Sequence, residues 1–245
     1  MVNSTVHPHT GPAQTSARPL SGWSGWPGSP QSLRIAASTA AVGLVAMLVA
    51  GLALRGFRTE ISADLLLNRL HSPVLDAISQ AVSVAFQPAS AVVIGVLLAV
   101  VVALWSGRLV AGLAAGATVA CGWLVTGALK LIVARPRPEW TDAVHRVVAP
   151  ETDASYPSGH VAFVTALATV LVLLMWRTPA CGWVLAGGVA LVAVTALARV
   201  YAVVHYPSDV VAGAVCAVCG VILAFAAMES FTRRRSRTGD AAAAI

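Results

Sequence analysis

Residues 109–130 read LVAGLAAGATVACGWLVTGALK, an apolar stretch with no charged side chain before its final lysine. A helix needs about 20 such residues to cross the hydrocarbon core of a bilayer. Five further stretches of this kind occur, and most of them reach that length. The six are Ile35–Leu54, Ala77–Gly107, Leu109–Leu129, Val161–Trp176, Thr178–Ala198 and Val210–Met228. The sequence therefore predicts an all-α polytopic membrane protein with six transmembrane helices in a bundle.

Composition supports this class. Of the 245 residues, 58% are hydrophobic and only 11% are charged, whereas a soluble domain has roughly a quarter charged residues. An ordinary soluble enzyme and a disordered chain are both excluded. The formal net charge is +6, but the basic residues are scattered between the apolar stretches. We therefore expect the bilayer, and no nucleic acid, as the partner of this surface.

The polar segments predict a simple domain plan. Residues 1–34 are rich in Ser, Pro, Gly and Thr and are expected to form a flexible cytoplasmic tail. Residues 35–229 form the membrane domain, in which the second span is placed near Phe86–Trp105. Residues 230–245 form a basic, disordered cytoplasmic tail. The segment Glu60–His71 has Ile61, Leu65, Leu66 and Leu70 near one helical face. It is expected to lie on the membrane as an amphipathic helix or to form part of a substrate entrance.

Orientation follows from the Lys and Arg residues near the helix ends. These residues are evenly divided between the two sides. The basic cluster at residues 233–237 directly follows the last span, where positive charge resists translocation. Both termini are therefore predicted to be cytoplasmic.

Three polar clusters stand at the ends of predicted spans. Parity places all three on the same membrane surface, because odd-numbered spans end and even-numbered spans begin on the same side. Ionisable groups in such places indicate function. The clusters are Lys130 with Arg135–Pro138, then Tyr156–His160, then Arg199 with His205 and Asp209.

The first chemical feature is a group of cations. Lys130, Arg137 and Arg199 together suit a highly charged anion, for which phosphate is the natural candidate. Ser158 and Gly159 precede an apolar run and predict a helix start. The free backbone N–H groups of a helix start also bind phosphate oxygens.

The second feature is a pair of histidines. Asp209 lies four residues after His205, so the two side chains can share a helical face. A carboxylate there holds the proton of one ring nitrogen and leaves the other nitrogen free to attack. His160, on a different helix, is placed to protonate a leaving oxygen.

These motifs resemble the three-part signature of the type 2 phosphatidic acid phosphatases, whose superfamily includes vanadium-dependent haloperoxidases and bacterial acid phosphatases. The resemblance covers roughly residues 85–228, and all three parts occur in order. Ala198 stands where the signature usually has a serine, which removes one possible hydrogen bond to phosphate. The matching residues are Lys130, Arg137 and Pro138, then Pro157, Ser158, Gly159 and His160, then Arg199, His205 and Asp209.

The resemblance implies an integral membrane phosphatase that acts on a lipid phosphate or diphosphate. The phosphatidic acid, phosphatidylglycerol phosphate and polyprenyl diphosphate types all remain open as substrates. It implies a phosphohistidine at His205, oriented by Asp209, with His160 as general acid. The remaining site residues would bind the phosphate. Neither a metal ion nor another cofactor would be required. The site would face the extracytoplasmic side of a membrane, most simply a bacterial cell membrane. The phosphate-holding residues are Lys130, Arg137, Ser158, Gly159 and Arg199.

Three other functions compete with this interpretation. An anion transporter or channel would use the same basic cluster as a pore ring and has no need of His205 beside Asp209. A metal hydrolase would use His160, His205 and Asp209 as ligands. A catalytically silent relative would bind lipid phosphate only, and the intact histidines disfavour it.

Overall fold

The computed structural model of the protein describes residues 27–141 and 144–243, with side chains up to residue 231. This part of the chain consists of helices and connecting segments. The predicted N-terminal tail lies largely outside the described residues. The helices are α1 Pro30–Leu54, α2 Ile61–Asn68, α3 Pro73–Ala85, α4 Pro88–Ser106, α5 Leu109–Val133, α6 Gly159–Met175, α7 Cys181–Tyr201 and α8 Pro207–Ala243.

The all-helical membrane architecture is confirmed. Five helices, α1, α4, α5, α7 and α8, are long and apolar enough to cross a bilayer. The remaining predicted span is α6, which has 17 residues and falls short of the usual length for a crossing helix. The count of six transmembrane helices is therefore not confirmed by helix length and composition.

The centre of the bundle is formed by α5, α6 and α8. Small residues let these helices approach closely, as is common where apolar packing alone holds membrane helices together. A Cβ atom on Gly122 of α5 would lie 2.7 Å from the Val221 side chain and 3.1 Å from the Ala217 carbonyl oxygen of α8. Any larger residue at this position would therefore separate α5 from α8 at the centre of the bundle.

The first helix runs antiparallel to the last. Gly43 lies against Cys219. Met47, four residues later in α1, packs in a cluster with Tyr156 and with Ala212, which is seven residues earlier in α8 than Cys219. The start of α1 and the far end of α8 therefore lie at the opposite end of the bundle from the residue 155–158 segment.

The second apolar stretch, Ala77–Gly107, is divided between two helices, α3 and α4. α3 ends at Ala85, and α4 begins at Pro88, which occupies the first turn of its helix. Proline lacks a backbone N–H and clashes with the preceding turn, so it separates the two helices. The span predicted near Phe86–Trp105 corresponds to α4.

The exposure of the segment Glu60–His71 is compatible with its predicted position on the membrane, which stays a prediction. Its helix, α2, buries polar Asp64 and Asn68 completely or nearly so, whereas Leu66 and Leu70 are 65% and 63% exposed. The polar side of α2 therefore faces the protein, where Asn68 donates to the carbonyls of His145 and Tyr201, while neither Asp64 carboxylate oxygen has a hydrogen-bond partner among the described residues.

The helical limits also differ from the predicted tails. α1 begins at Pro30, with Ser29 as its N-cap, and the backbone of α8 continues as helix to Ala243. The sequence predicted disorder from residue 230. Residues 226–238 contain neither glycine nor proline, so nothing in the local sequence stops the helix at the membrane surface.

Candidate active site

A cavity of about 750 Å³ opens at the end of the bundle where α5 and α7 end and α6 and α8 begin. The three polar clusters of the sequence meet there, as the parity argument predicted. Arg199 and Asp209 are fully buried beside it. Five of the predicted site residues line the cavity: Lys130, Arg137, Gly159, His160 and His205.

The chain enters the site through a sharp change of direction after α5. Ala134 has a φ of 46° and caps α5 in the left-handed region, its N–H donating to the Lys130 carbonyl. This conformation is uncommon for a residue with a Cβ atom and often ends a helix. Lys130 thus remains on the last turn of α5, while Arg135 and Arg137 follow on a non-helical segment.

The three predicted phosphate-binding cations are paired with two acidic residues of the loop before α6. The Lys130 ammonium donates to Asp153 at 2.5 Å. Arg137 Nη2 lies 2.7 Å from Glu151 Oε2 and 2.5 Å from Asp153 Oδ1. Arg199, which is fully buried, pairs with the other Glu151 oxygen. The protein's own carboxylates therefore occupy the cations that the sequence assigns to phosphate.

These carboxylates are held in the charged form. Burial alone would raise the pKa of Glu151, but Arg199 and Arg137 outweigh it and keep that pKa below its ordinary value. Burial likewise opposes the charge of Asp153, and hydrogen bonds and charge from Lys130 and Arg137 lower its pKa. Each is an anion at neutral pH. Sequence reasoning missed both residues, although two acids within the nine residues before His160 were a visible signal.

His205 lies between α7 and α8, in a segment held by the bond from the Trp140 indole N–H to the Val203 carbonyl at 2.7 Å. Its Nε2 atom lies 3.2 Å from Arg137 Nη1. A guanidinium can only donate, so Nε2 is the unprotonated nitrogen and Nδ1 carries the proton. Nδ1 lies 3.6 Å from Asp209 Oδ2, which is longer than a hydrogen bond, and it has no hydrogen-bond partner among the described residues.

The environment of His205 keeps its ring neutral. The side chain is fully buried. Burial lowers the pKa of His205 well below its ordinary value, and the surrounding cations, Arg137 first among them, lower it further. The nucleophilic lone pair on Nε2 is therefore available at neutral pH.

Asp209 is fixed by a residue to which the sequence gave no role. The Arg135 side chain is fully buried and donates to Asp209 Oδ1 at 2.7 Å. The guanidinium also stacks over the Tyr206 ring, 4.1 Å from its centroid. The Tyr206 backbone N–H donates to the second Asp209 oxygen at 2.9 Å. The only signal for Arg135 in the sequence was its place two residues before Arg137.

The start of α6 offers unpaired hydrogen-bonding groups. Ser158 is its N-cap, and no hydrogen bond is made by the Ser158 hydroxyl, which is fully buried. The Ser158 backbone N–H donates to the Asp209 carbonyl at 2.9 Å. Gly213 permits this contact, since a Cβ atom there would lie 2.6 Å from the Ser158 carbonyl oxygen. A Cβ on Gly159 would make only ordinary contacts with Trp123 and Lys130.

His160 and Arg199 share a partner on α3. The His160 Nε2 donates to the Ser83 carbonyl at 3.3 Å, and Arg199 Nη1 donates to the Ser83 hydroxyl at 2.7 Å. Ala198, which replaces the usual serine, has its carbonyl bonded to the hydroxyl of Ser79. Two serines of α3 therefore organise the α7 end of the site, and neither was singled out from the sequence.

Part of the cavity lining is apolar. Val84, Phe86, Pro88, Trp123 and Leu124, from α3, α4, α5 and the turn between α3 and α4, line the cavity together with the charged residues. A cavity that combines a charged and an apolar part at the end of a membrane bundle suits an amphiphile.

Within the described side chains, no three His, Cys, Asp or Glu residues are arranged to hold a metal ion. The geometry therefore gives the metal-hydrolase alternative no support: His205 Nε2 faces a guanidinium, and Asp209 is used by Arg135 and the Tyr206 backbone.

Comparisons with known proteins identify the same region. The sequence model of the PAP2 superfamily matches residues 109–233, which is more than half of the chain. The chain is similar to a transmembrane PAP2-type phosphatidylglycerolphosphate phosphatase from Bacillus subtilis, with 19% identity, a TM-score of 0.62, and coverage of 77% of this chain and 96% of that one. It is also similar to LpxE of Aquifex aeolicus, with 21% identity, a TM-score of 0.55, and coverage of 70% and 98%. No curated protein matches the chain significantly.

Proposed function

Because the chain belongs to the PAP2 superfamily and is an integral membrane phosphatase, we propose that it removes a terminal phosphate from a lipid through a phosphohistidine on His205. The observation that carries the proposal is the position of the His205 Nε2 lone pair, which meets the cation cluster at a cavity whose lining is partly apolar. Both a monophosphate and a diphosphate substrate fit this chemistry.

In the first step, the substrate phosphate displaces Glu151 and Asp153 from Lys130, Arg137 and Arg199. His205 Nε2 attacks phosphorus, the N–P bond forms and the P–O bond to the lipid breaks. The leaving oxygen takes a proton from His160. Cations and the N–H groups at the start of α6 stabilise the negative charge that spreads over the phosphate oxygens. Asp209 stabilises the Nδ1 proton of the ring, which is positively charged in the phosphohistidine.

In the second step, a water molecule attacks the phosphorus atom and gives a proton to His160. The N–P bond breaks, its electron pair returns to His205 Nε2, and inorganic phosphate leaves. His160 is then protonated for the next cycle. The net reaction consumes one water molecule and releases the lipid product, and the proposal requires no metal ion because three cationic side chains surround the phosphate.

The apolar part of the cavity lining supports a lipid as the substrate. Phe86, Trp123 and Leu124 lie beside the charged groups, so a chain in the bilayer can remain in an apolar environment while its headgroup reaches His205. The relative from Bacillus subtilis is a phosphatidylglycerolphosphate phosphatase, and we include that lipid with phosphatidic acid and polyprenyl diphosphates among the candidates.

The proposal extends to topology. We propose that α6 completes six spans, that both termini are cytoplasmic and that the site faces the extracytoplasmic side of a bacterial cell membrane. Support comes from the antiparallel packing of α1 on α8, which puts their outer ends opposite the cavity, and from the basic residues 233–237.

The test is phosphate release by the purified full-length protein in detergent from a panel of lipid phosphates and diphosphates, with and without EDTA. We expect release that resists the chelator and falls by about 10³-fold or more in His205→Ala. His145→Ala is the matched control, since its ring pairs with Asp76 outside the cavity, and it should keep wild-type activity. Activity in His205→Ala close to wild type would contradict the nucleophile. Anion flux in liposomes without any release would favour the transporter.

A further inference from the structure

Helix α2 presents its polar side to the active site. Glu60, Asp64 and Asn68 recur every four residues, a spacing that places them on one helical face. Asp64 and Asn68 are 0% and 2% exposed. The Asn68 amide donates to the carbonyls of His145 and Tyr201, both at 2.9 Å. This face therefore packs on the end of α7 and on the segment that leads to His205.

Glu60, at the start of this face, binds the residues around Asp209. Its carboxylate accepts hydrogen bonds from the backbone N–H and the hydroxyl of Ser208, both at 2.8 Å. It also accepts one from Arg135 Nη2 at 3.1 Å. The same guanidinium donates through Nη1 to Asp209 Oδ1 at 2.7 Å. One fully buried arginine is thus shared between a carboxylate of α2 and the carboxylate that faces His205.

This sharing has an electrostatic consequence. An arginine paired with Asp209 alone would neutralise the negative charge that has to attract the Nδ1 proton of His205. Glu60 offsets part of the Arg135 charge and leaves Asp209 a better hydrogen-bond acceptor. Asp64 adds little charge of its own, because burial, together with the nearby charges of Asp209 and Glu60, raises its pKa to about 8.

We propose that Glu60 is a positioning residue of the phosphatase: by sharing Arg135 with Asp209 it orients Asp209 towards His205 and preserves the negative charge that holds the Nδ1 proton. This inference rests on the proposed function, in which His205 is the nucleophile. It assigns α2, outside the region matched by the superfamily model, a direct influence on the reaction.

Other charged groups also act on His205 and remain unchanged in the experiment. These groups come from α5, the loop after it, α6, α7 and α8. They are Lys130 of α5, Arg137 of the loop after α5, His160 of α6, Arg199 of α7 and Asp209 of α8. A shift in the titration of His205 on changing Glu60 alone is therefore attributable to Glu60 and its link through Arg135.

The experiment compares Glu60→Gln with the wild-type enzyme in detergent, measuring kcat and KM between about pH 4 and pH 9. Glutamine keeps the size and one acceptor oxygen but removes the charge. We expect kcat to fall on the order of tenfold, as for partners that orient ligating histidines, with KM little changed. Loss of a nearby negative charge destabilises protonated His205, so the acid limb of kcat/KM should move to lower pH by about half a unit.

The matched control is Glu139→Gln. Glu139 pairs with Arg58 at the surface, where both side chains are more than half exposed, and it should leave both kcat and the acid limb unchanged. A fall in activity for Glu60→Gln with an unmoved acid limb would show a merely structural role and overturn the proposal. Wild-type kcat would overturn it as well.

Two additional variants keep the test decisive. Should Glu60→Gln fail to fold, Glu60→Asp retains the charge but shortens the side chain, and its expected result is a reduced kcat with the acid limb in place. Wild-type kcat in that variant would contradict positioning. His205→Ala, assayed alongside, separates the two proposals: activity close to wild type there would refute the nucleophile itself, whatever Glu60 does.

Discussion

Arg135 and Arg137 are separated by a single proline and serve different parts of the site. Arg137 lines the cavity and contacts His205 Nε2. Arg135 is fully buried and forms an ion pair with Asp209 Oδ1. Removing one partner of a buried ion pair costs about 3–5 kcal/mol, so Arg135 also contributes to the stability of the bundle end. The two arginines thus face the two ring nitrogens of His205. Arg137 contacts Nε2 directly, and Arg135 acts on the Nδ1 side through Asp209.

The proposed role of His160 as general acid can be tested by comparing substrates whose leaving groups differ in their need for a proton. Its Nε2 bond to the Ser83 carbonyl orients the ring beside the cavity. We expect His160→Ala to lower kcat for a lipid phosphate by about 10²-fold and to lower it much less for an aryl phosphate such as p-nitrophenyl phosphate, whose leaving group needs no proton. Steady-state rates on both substrates provide the measurement. Equal losses on the two would identify a structural histidine.

At the scale of elements, the loop between α5 and α6 is an internal competitor for phosphate. It carries Glu151 and Asp153, whose carboxylates neutralise the cations that phosphate requires. Both acids have a pKa below the ordinary value, so they remain charged over the range in which a histidine nucleophile works. With phosphate bound at these cations as proposed, substrate binding and displacement of Glu151 and Asp153 are linked events.

Asp153→Asn tests this competition. The Asp153 side chain is 59% exposed, so its pairing with Lys130 and Arg137 contributes about 1 kcal/mol or less. Loss of its charge should strengthen inhibition by inorganic phosphate by roughly two- to fivefold, measured as Ki. Glu139→Gln, an exposed acid near the start of the same loop, should leave Ki unchanged. An unchanged Ki in Asp153→Asn would show that the carboxylate does not compete with phosphate.

At the scale of the whole molecule, the bundle has a central trio and an outer layer. α5, α6 and α8 pack together at the centre, while α1, α4 and α7 bury little of their surface within the protein. α6 is the shortest of the long helices because it begins inside the protein, at the buried Ser158, and not at a membrane surface. At 1.5 Å per residue, its 17 residues extend about 25 Å, and the preceding buried segment adds to this length.

Topology is tested by two cysteines placed on either side of α6. In a background with the four native cysteines replaced, Glu139→Cys lies at the cavity end and Arg177→Cys follows α6 at the other end; both positions are exposed. A membrane-impermeant maleimide should label position 139 in intact cells and position 177 only in inverted vesicles. The reverse pattern would invert the proposed orientation. Labelling of both positions from the same side would show that α6 does not cross.

Much of this protein follows from its sequence because the relevant signals are local. Apolar length determines the membrane class, the position of α1, α4, α5 and α7 to within about five residues and the start of α8 to within three. The predicted site residues also come together, because helix ends on the same surface must meet once the spans pack side by side. Their individual catalytic roles remain predictions, as do the count of six spans and the orientation.

Tertiary structure alone decided what supports those residues. The bond from Arg135 to Glu60 joins positions 75 apart in the chain, and the bond from Arg199 to Ser83 joins positions 116 apart. No local periodicity predicts which distant groups meet. Helix α2 illustrates the reason: its leucines predicted a side towards the membrane, but the partners of its polar side lie far away in the sequence, Arg135 and Ser208 for Glu60 and the His145 and Tyr201 carbonyls for Asn68. The sequence determined which residues meet at the candidate site, and packing determined which residues hold them in place.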